Sequence, residues 1–118
     1  DGTQDRLERE AARLGTLLET ARAEARAAAL PVVWRPTPES AQHQFRFLGL
    51  PASRQLPTRW LDPEVVAQVE GGRGTLVLGP EPLIGAQRVQ LRIGEQAITV
   101  GTDGLQPFAV LAPAASPP

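Results

Sequence analysis

The side chains able to do chemistry are few and scattered. His43 is the single histidine of this 118-residue chain. A metal site or catalytic dyad needs partner side chains at defined spacing, and none accompanies it, so a surface strand position is the favoured reading. The carboxylates Asp62, Glu64, Glu70, Glu81 and Asp103 stand singly. Glu81 lies between two prolines and Asp103 precedes a glycine, which is turn chemistry. Nothing singles out a carboxylate pair for glycosidic acid–base work. The serines are Ser40, Ser53 and Ser116, none of them in a Gly-x-Ser-x-Gly elbow. Gly71-Gly72-Arg73-Gly74 resembles an anion loop, but it lacks the Lys-Ser/Thr ending of a phosphate-binding loop and no helical pattern follows, so a flexible turn is the better reading. Trp34 and Trp60 offer faces for a sugar or a base. Trp34 follows two valines at a strand start, which points to the core. Trp60 sits in a proline-rich stretch beside Arg54 and Arg59; it is expected to be the exposed aromatic and, with both arginines, a partner contact. No catalytic residue, metal ligand or cofactor-binding residue is expected.

Composition narrows the classes further. With no cysteine, disulfides, thiolate-held zinc, thiol catalysis and thiol redox sensing are excluded. Tyrosine is absent too. The 12 basic residues are all arginine and are balanced by 13 acidic ones, which argues against a general nucleic-acid or anionic-membrane binder. The last arginine is Arg92, so no basic cluster marks the C-terminal part. The length suits one domain with a modest core. No run approaches the roughly 18 apolar residues of a membrane span, and there is no signal peptide. The absence of any methionine is read as a chain that begins downstream of its own start.

The elements that must position these side chains begin with a helix. Leu7, Ala11, Leu14, Leu18, Ala21, Ala25 and Ala28 recur at steps of four and three, which places them on one stripe. The rest of the segment is mainly Arg, Glu, Ala and Leu, all strong helix formers. The spacing predicts a helix over about Asp5–Ala29, with a capping box at Asp5 and Glu8, ion pairs Asp5–Arg9 and Arg6–Glu10, a charged opposing face, and Pro31 as the stop. Leu14, Leu17, Leu18, Ala21 and Ala25 are expected to cover a sheet. Leu7 and Ala11 are expected to precede the globular body and, with Glu8 and Arg9, to meet neighbouring subunits.

After Pro31 the period changes to two. Strands are expected at Val33–Arg35, at His43–Leu48, around Val65–Val69, at Leu76–Leu78 and around Phe108–Leu111. The clearest hairpin alternates through Val89, Leu91 and Ile93, turns at Gly94-Glu95 and returns through Ile98 and Val100. The stretch from Gly49 to Pro63 is expected to be an irregular surface loop. The resulting fold class is α+β: a long N-terminal amphipathic helix packed on six to eight antiparallel strands, as a small β-sandwich. The divisions are 1–30 for the helix, 31–111 for the β domain and 112–118 for a flexible Pro/Ala tail.

This text resembles the GspH family, the minor pseudopilin H of type II secretion. The segment "RLEREAARLGTLLETARAEARAAALPVVW" is similar to the start of that family's soluble region. "LVLGPEPLIGAQRVQLRIGEQAITVGTDGLQPFAV" is similar to its closing strands, with a penultimate hairpin, a turn at Asp103-Gly104 and a step at Pro107-Phe108. The family's processing-site segment is not in this sequence. The resemblance implies a non-enzymatic subunit, cleaved and N-methylated by the prepilin peptidase. It would be held in the bacterial inner membrane by one N-terminal helix, with this domain in the periplasm. It would join the pseudopilus tip beside minor pseudopilins of the I, J and K types and the major pseudopilin, and assist export of folded proteins across the outer membrane. Neither nucleic acid nor a small-molecule substrate is implied. The alternative is a FimT- or FimU-like minor pilin of a type IV pilus, some of which bind DNA.

Overall fold

A computed structural model describes residues 2–112. The first element, α1, is an α-helix over Gly2–Ala28. At about 1.5 Å per residue its 27 residues span about 40 Å, close to the 44 Å longest dimension of the molecule. It therefore runs the whole length of the body rather than projecting from it. It starts before Asp5, so the expected capping box is helix interior. Arg6 pairs with Asp62 and with Glu64, at 3.5 Å in the latter case, instead of with Glu10. No ion pair joins Asp5 to Arg9 among the described residues. The helix ends one residue earlier than expected, in a Schellman motif. The Leu30 N–H donates to the Ala25 carbonyl at 3.0 Å and the Ala29 N–H to Arg26 at 3.3 Å. Ala29 holds the left-handed position at φ 54° that glycine fills most cheaply. Ala28, the last residue of the expected stripe, is exposed.

Seven strands follow: β1 (Val32–Pro36), β2 (Phe45–Leu48), β3 (Val66–Val69), β4 (Leu76–Gly79), β5 (Gln87–Ile93), β6 (Gln96–Thr102) and β7 (Ala109–Val110). They form two antiparallel sheets, β2-β1-β4 and β3-β5-β6-β7. The β5–β6 hairpin turns at Gly94-Glu95 and runs in full register from Ile93↔Gln96 to Gln87↔Thr102. The described molecule is thus α+β, one helix on two antiparallel sheets. The expected tail, residues 112–118, lies outside the described residues except for Ala112. Among the described residues no helix is long and apolar enough to cross a membrane.

One core joins all three layers. The helix contributes Leu7, Ala11, Leu14, Leu18, Ala21 and Ala25; the smaller sheet adds Trp34, Phe45 and Leu76, and the larger adds Val89, Leu91 and Val100. Close approach is built in by small residues. A Cβ on Gly79 would sit 2.8 Å from the Ala25 methyl, and one on Gly15 would sit 3.0 Å from the Phe108 carbonyl oxygen. Gln87 ties the sheets together. Its amide accepts the Val77 N–H at 2.6 Å and donates to the Val77 carbonyl at 2.8 Å, imitating a strand pairing at the edge of β4.

Candidate interaction surface

Two of the residues expected to meet neighbours are interior. Leu7 is fully buried and Ala11 nearly so, both within the common core. The expectation fails because the larger sheet extends along the helix as far as its first turns. Glu8 and Arg9, at the same end, are exposed, as are Arg54 and Arg59. Trp60, expected to be the exposed aromatic, is buried too, being only 6% exposed. The proline-rich loop folds beneath the surface at this point, and the Trp60 ring lies 4.6 Å from that of Phe45 and 6.4 Å from that of Trp34. Trp34 is a core residue, as expected. The structure does not gather the expected contact residues into one patch. Glu8 faces a depression with Arg88 and Gln90, Arg9 one with Leu61 and Glu64, and Arg54 one with Thr20 and Glu24; only Arg59 and Trp60 share one.

His43 is held structurally, its Nδ1 lying 2.7 Å from the Thr58 hydroxyl. Among the described residues no three His, Asp or Glu side chains are grouped to hold a metal. Gly71, Gly72 and Gly74 all have positive φ in the turn between β3 and β4, with no helix after it.

The polar side chains that matter most were missed by sequence reasoning, and both lie on α1. Glu10 is 1% exposed. Its carboxylate accepts the Leu61 N–H at 3.2 Å and the Asp62 N–H at 2.7 Å, with the Arg13 guanidinium 3.9 Å away. Arg22 is 4% exposed. Its guanidinium donates to the carbonyls of Gly104 at 2.7 Å, Pro82 at 3.1 Å and Gln106 at 3.3 Å, with Glu19 at 3.5 Å. Glu19 in turn accepts the Phe108 N–H at 2.9 Å. The helix thus fastens three loops through charged side chains, each supplied with partners that offset its desolvation. A signal was available: Glu10 is three residues from Leu7 and Arg22 four from Leu18, so both charges fall inside the apolar stripe.

Two aspartates beside these clamps are held below the ordinary carboxylate value of 3.8. For Asp62 the leading cause is the Glu64 N–H, with Arg6 adding to it; for Asp103 it is the N–H groups of Gln106 and Leu105. Both anions are stabilised by hydrogen bonds to the charged form.

The opposite side of α1 keeps part of the charged face expected, with Asp5, Glu8, Arg9 and Arg26 exposed, but its middle is uncharged. Ala12, Thr16, Thr20, Ala23 and Ala27 form its exposed midline. Both threonine hydroxyls bond back to carbonyls one turn earlier, Thr16 to Ala12 at 3.2 Å and Thr20 to Thr16 at 2.9 Å. With its hydroxyls engaged, this stripe is small and uncharged. An open groove of about 910 Å³ runs along it, with Glu19 and Glu24 on its walls and Pro107 to Val110 on the other side.

Compared with family models, with curated proteins and with solved structures, the chain matches none.

Proposed function

We propose that this chain is the periplasmic domain of a minor pseudopilin, a non-enzymatic subunit of the type II secretion pseudopilus. In this reading the chain continues upstream into an apolar inner-membrane helix. It assembles beside pseudopilins of the I, J and K types and the major pseudopilin. The observation that carries the reading is the two-faced α1. One stripe is consumed by the protein's own sheets, and the other, from Ala12 to Ala27, is small, uncharged and open. A neighbouring helix can approach such a surface closely and gain dispersion contacts along its length. Of the charged residues of this face, Glu8, Arg13 and Glu24 lie beside the midline and Arg9 continues it toward the N-terminus, placed to set register through rim pairs.

The test is calorimetry of this domain against the soluble domains of candidate minor pseudopilins I, J and K. Binding is expected, and Thr16→Arg is expected to weaken it at least tenfold while leaving the thermal midpoint unchanged. Binding that Thr16→Arg leaves intact would reject the helix midline as the interface. No binding to any of the three, with salt-dependent binding to duplex DNA, would favour the type IV pilin alternative.

A further inference from the structure

The outward face of the small sheet carries an organised surface that the helix-based reading does not use. Alternation sends Trp34, Phe45, Phe47, Leu76 and Leu78 inward and leaves Val33, Arg35, Arg46, Leu48 and Val77 pointing out. Strand register arranges the outward five in two rows. Leu48, Val33 and Val77 lie side by side across β2, β1 and β4, since Val33 pairs with Leu48 on one side and with Val77 on the other. One pleat further on, Arg35 is directly opposite Arg46. Like charges at directly opposed positions destabilise a sheet. The repulsion is poorly relieved here: Glu39 reaches Arg35 only at 4.0 Å, and no hydrogen bond or ion pair engages Arg46 among the described residues. An aliphatic row beside a basic row calls for a ligand that brings carboxylates and aliphatic side chains together.

The chain itself displays that combination at another place. The loop after β4 exposes Glu81 and Leu83, and the loop after β6 exposes Asp103 and Leu105. Leu83 is 63% and Leu105 70% exposed, which makes them the most exposed large apolar side chains among the described residues. The loops are held against each other. A Cβ on Gly104 would fall 2.9 Å from the Gly85 nitrogen, and Arg22 binds the carbonyls of both Pro82 and Gly104. Asp103 stays ionised because its carboxylate accepts the Leu105 and Gln106 N–H groups. The result is a firm tip with two carboxylates and two leucines.

We infer that two copies of this chain associate head to tail, the Glu81/Leu83/Asp103/Leu105 tip of one seated on the Arg35/Arg46 and Val33/Leu48/Val77 face of the next. Charge complementarity selects this occupant: two acids meet two poorly neutralised arginines, and two leucines cover the aliphatic row. The two patches are different surfaces of one molecule, so the contact is heterologous and each added copy exposes a fresh tip and a fresh face. Such contacts grow into open assemblies unless the rotation closes a ring. The inference goes beyond the helix-midline reading and does not depend on it.

Sedimentation from micromolar to millimolar protein tests it. The expected result is a mass that rises with concentration, falls with added salt, and does not stop at a dimer. Arg46→Glu and Glu81→Arg are each expected to weaken association at least tenfold. The double variant is expected to restore it, because the contact then carries the same opposite charges with their sides exchanged, and so is an equimolar mixture of the two single variants, in which native and exchanged contacts alternate. Both positions are exposed, and an unchanged thermal midpoint separates loss of contact from loss of fold. A monomer at every concentration, or association that ignores both substitutions, overturns the inference. So does Arg46-dependent binding to anionic vesicles or duplex DNA without self-association. Calorimetry of Arg46→Glu against the I, J and K domains separates this result from the helix reading, since the helix midline is untouched.

Discussion

Removing the Glu10 carboxylate tests how the proline-rich loop is held. In the native structure two backbone donors, Leu61 N–H and Asp62 N–H, end on this one side chain, which is itself only 1% exposed. Glu10→Ala leaves both donors without a partner, while Arg13 keeps its bond to the Arg59 carbonyl at 2.9 Å. An unsatisfied buried donor costs about 1–3 kcal/mol. The loop lies at the surface and can move to admit water, so the lower half of that range applies to each donor, about 2–4 kcal/mol in all. For a domain of this size about 4 °C of midpoint shift accompanies each kcal/mol, giving a fall of about 8–16 °C. Glu10→Gln keeps one acceptor oxygen but turns an NH2 group toward the second donor, so about half the loss is expected. The assays are thermal unfolding and amide hydrogen exchange. The Leu61 and Asp62 amides should lose protection selectively while those of the β5–β6 hairpin keep theirs. A Glu10→Ala midpoint within about 2 °C of the parent, equivalent to about 0.5 kcal/mol, would refute the clamp.

Four other outcomes follow from the same geometry. Arg22→Lys is expected to lose about 3–5 kcal/mol in denaturant unfolding despite keeping the charge, because a point ammonium cannot reach the three carbonyls that the planar fork serves. Gly79→Ala is expected to cost about 1–3 kcal/mol, since its methyl would meet that of Ala25 at 2.8 Å, and adding Ala25→Gly should recover part of it. Ala29→Gly is expected to stabilise by about 0.5–1 kcal/mol: relief of the left-handed alanine, about 1–2 kcal/mol, exceeds the added freedom of the unfolded chain, about 0.4–1 kcal/mol. Asp62 and Asp103 titrate below 3.8 when folded, so their contribution is present above that value and is lost as pH falls through the folded values. Thermal midpoints should therefore drop below about pH 4, and less steeply in Asp103→Asn; an identical slope in that variant would contradict the assignment.

The readable part of this fold was the part governed by local period. The stripe from Leu7 to Ala25 marked the helix, and the alternation through Val89 to Val100 marked the hairpin with its turn at Gly94-Glu95. What escaped depended on tertiary placement. Nothing local says how far a sheet extends beneath a helix, so Leu7 and Ala11 looked free when β6 and β7 reach that end. Trp60 looked exposed because prolines and arginines surround it in sequence, yet the loop that carries it closes over Phe45. Glu10 and Arg22 were legible in helical phase as charges within an apolar stripe. Their function as loop anchors was not, because their partners are backbone groups 51 to 84 residues away. The outward stripe from Ala12 to Ala27 was read as charged because Arg and Glu abound in the segment; in three dimensions Asp5 and Arg9 precede it and Arg13 and Glu24 lie to its sides.

The most direct test of the subunit reading uses the absence of cysteine from the chain, which makes any introduced thiol unique. Thr16→Cys on the helix midline and Arg73→Cys on the distant β3–β4 turn would each be oxidised in the presence of minor pseudopilin domains carrying single cysteines on their own helices. Disulfide formation by the Thr16→Cys variant, and none by the Arg73→Cys variant, is the expected result. Equal trapping at both positions, or none at the helix midline, would contradict the assignment of that midline as the surface through which this chain joins its neighbours.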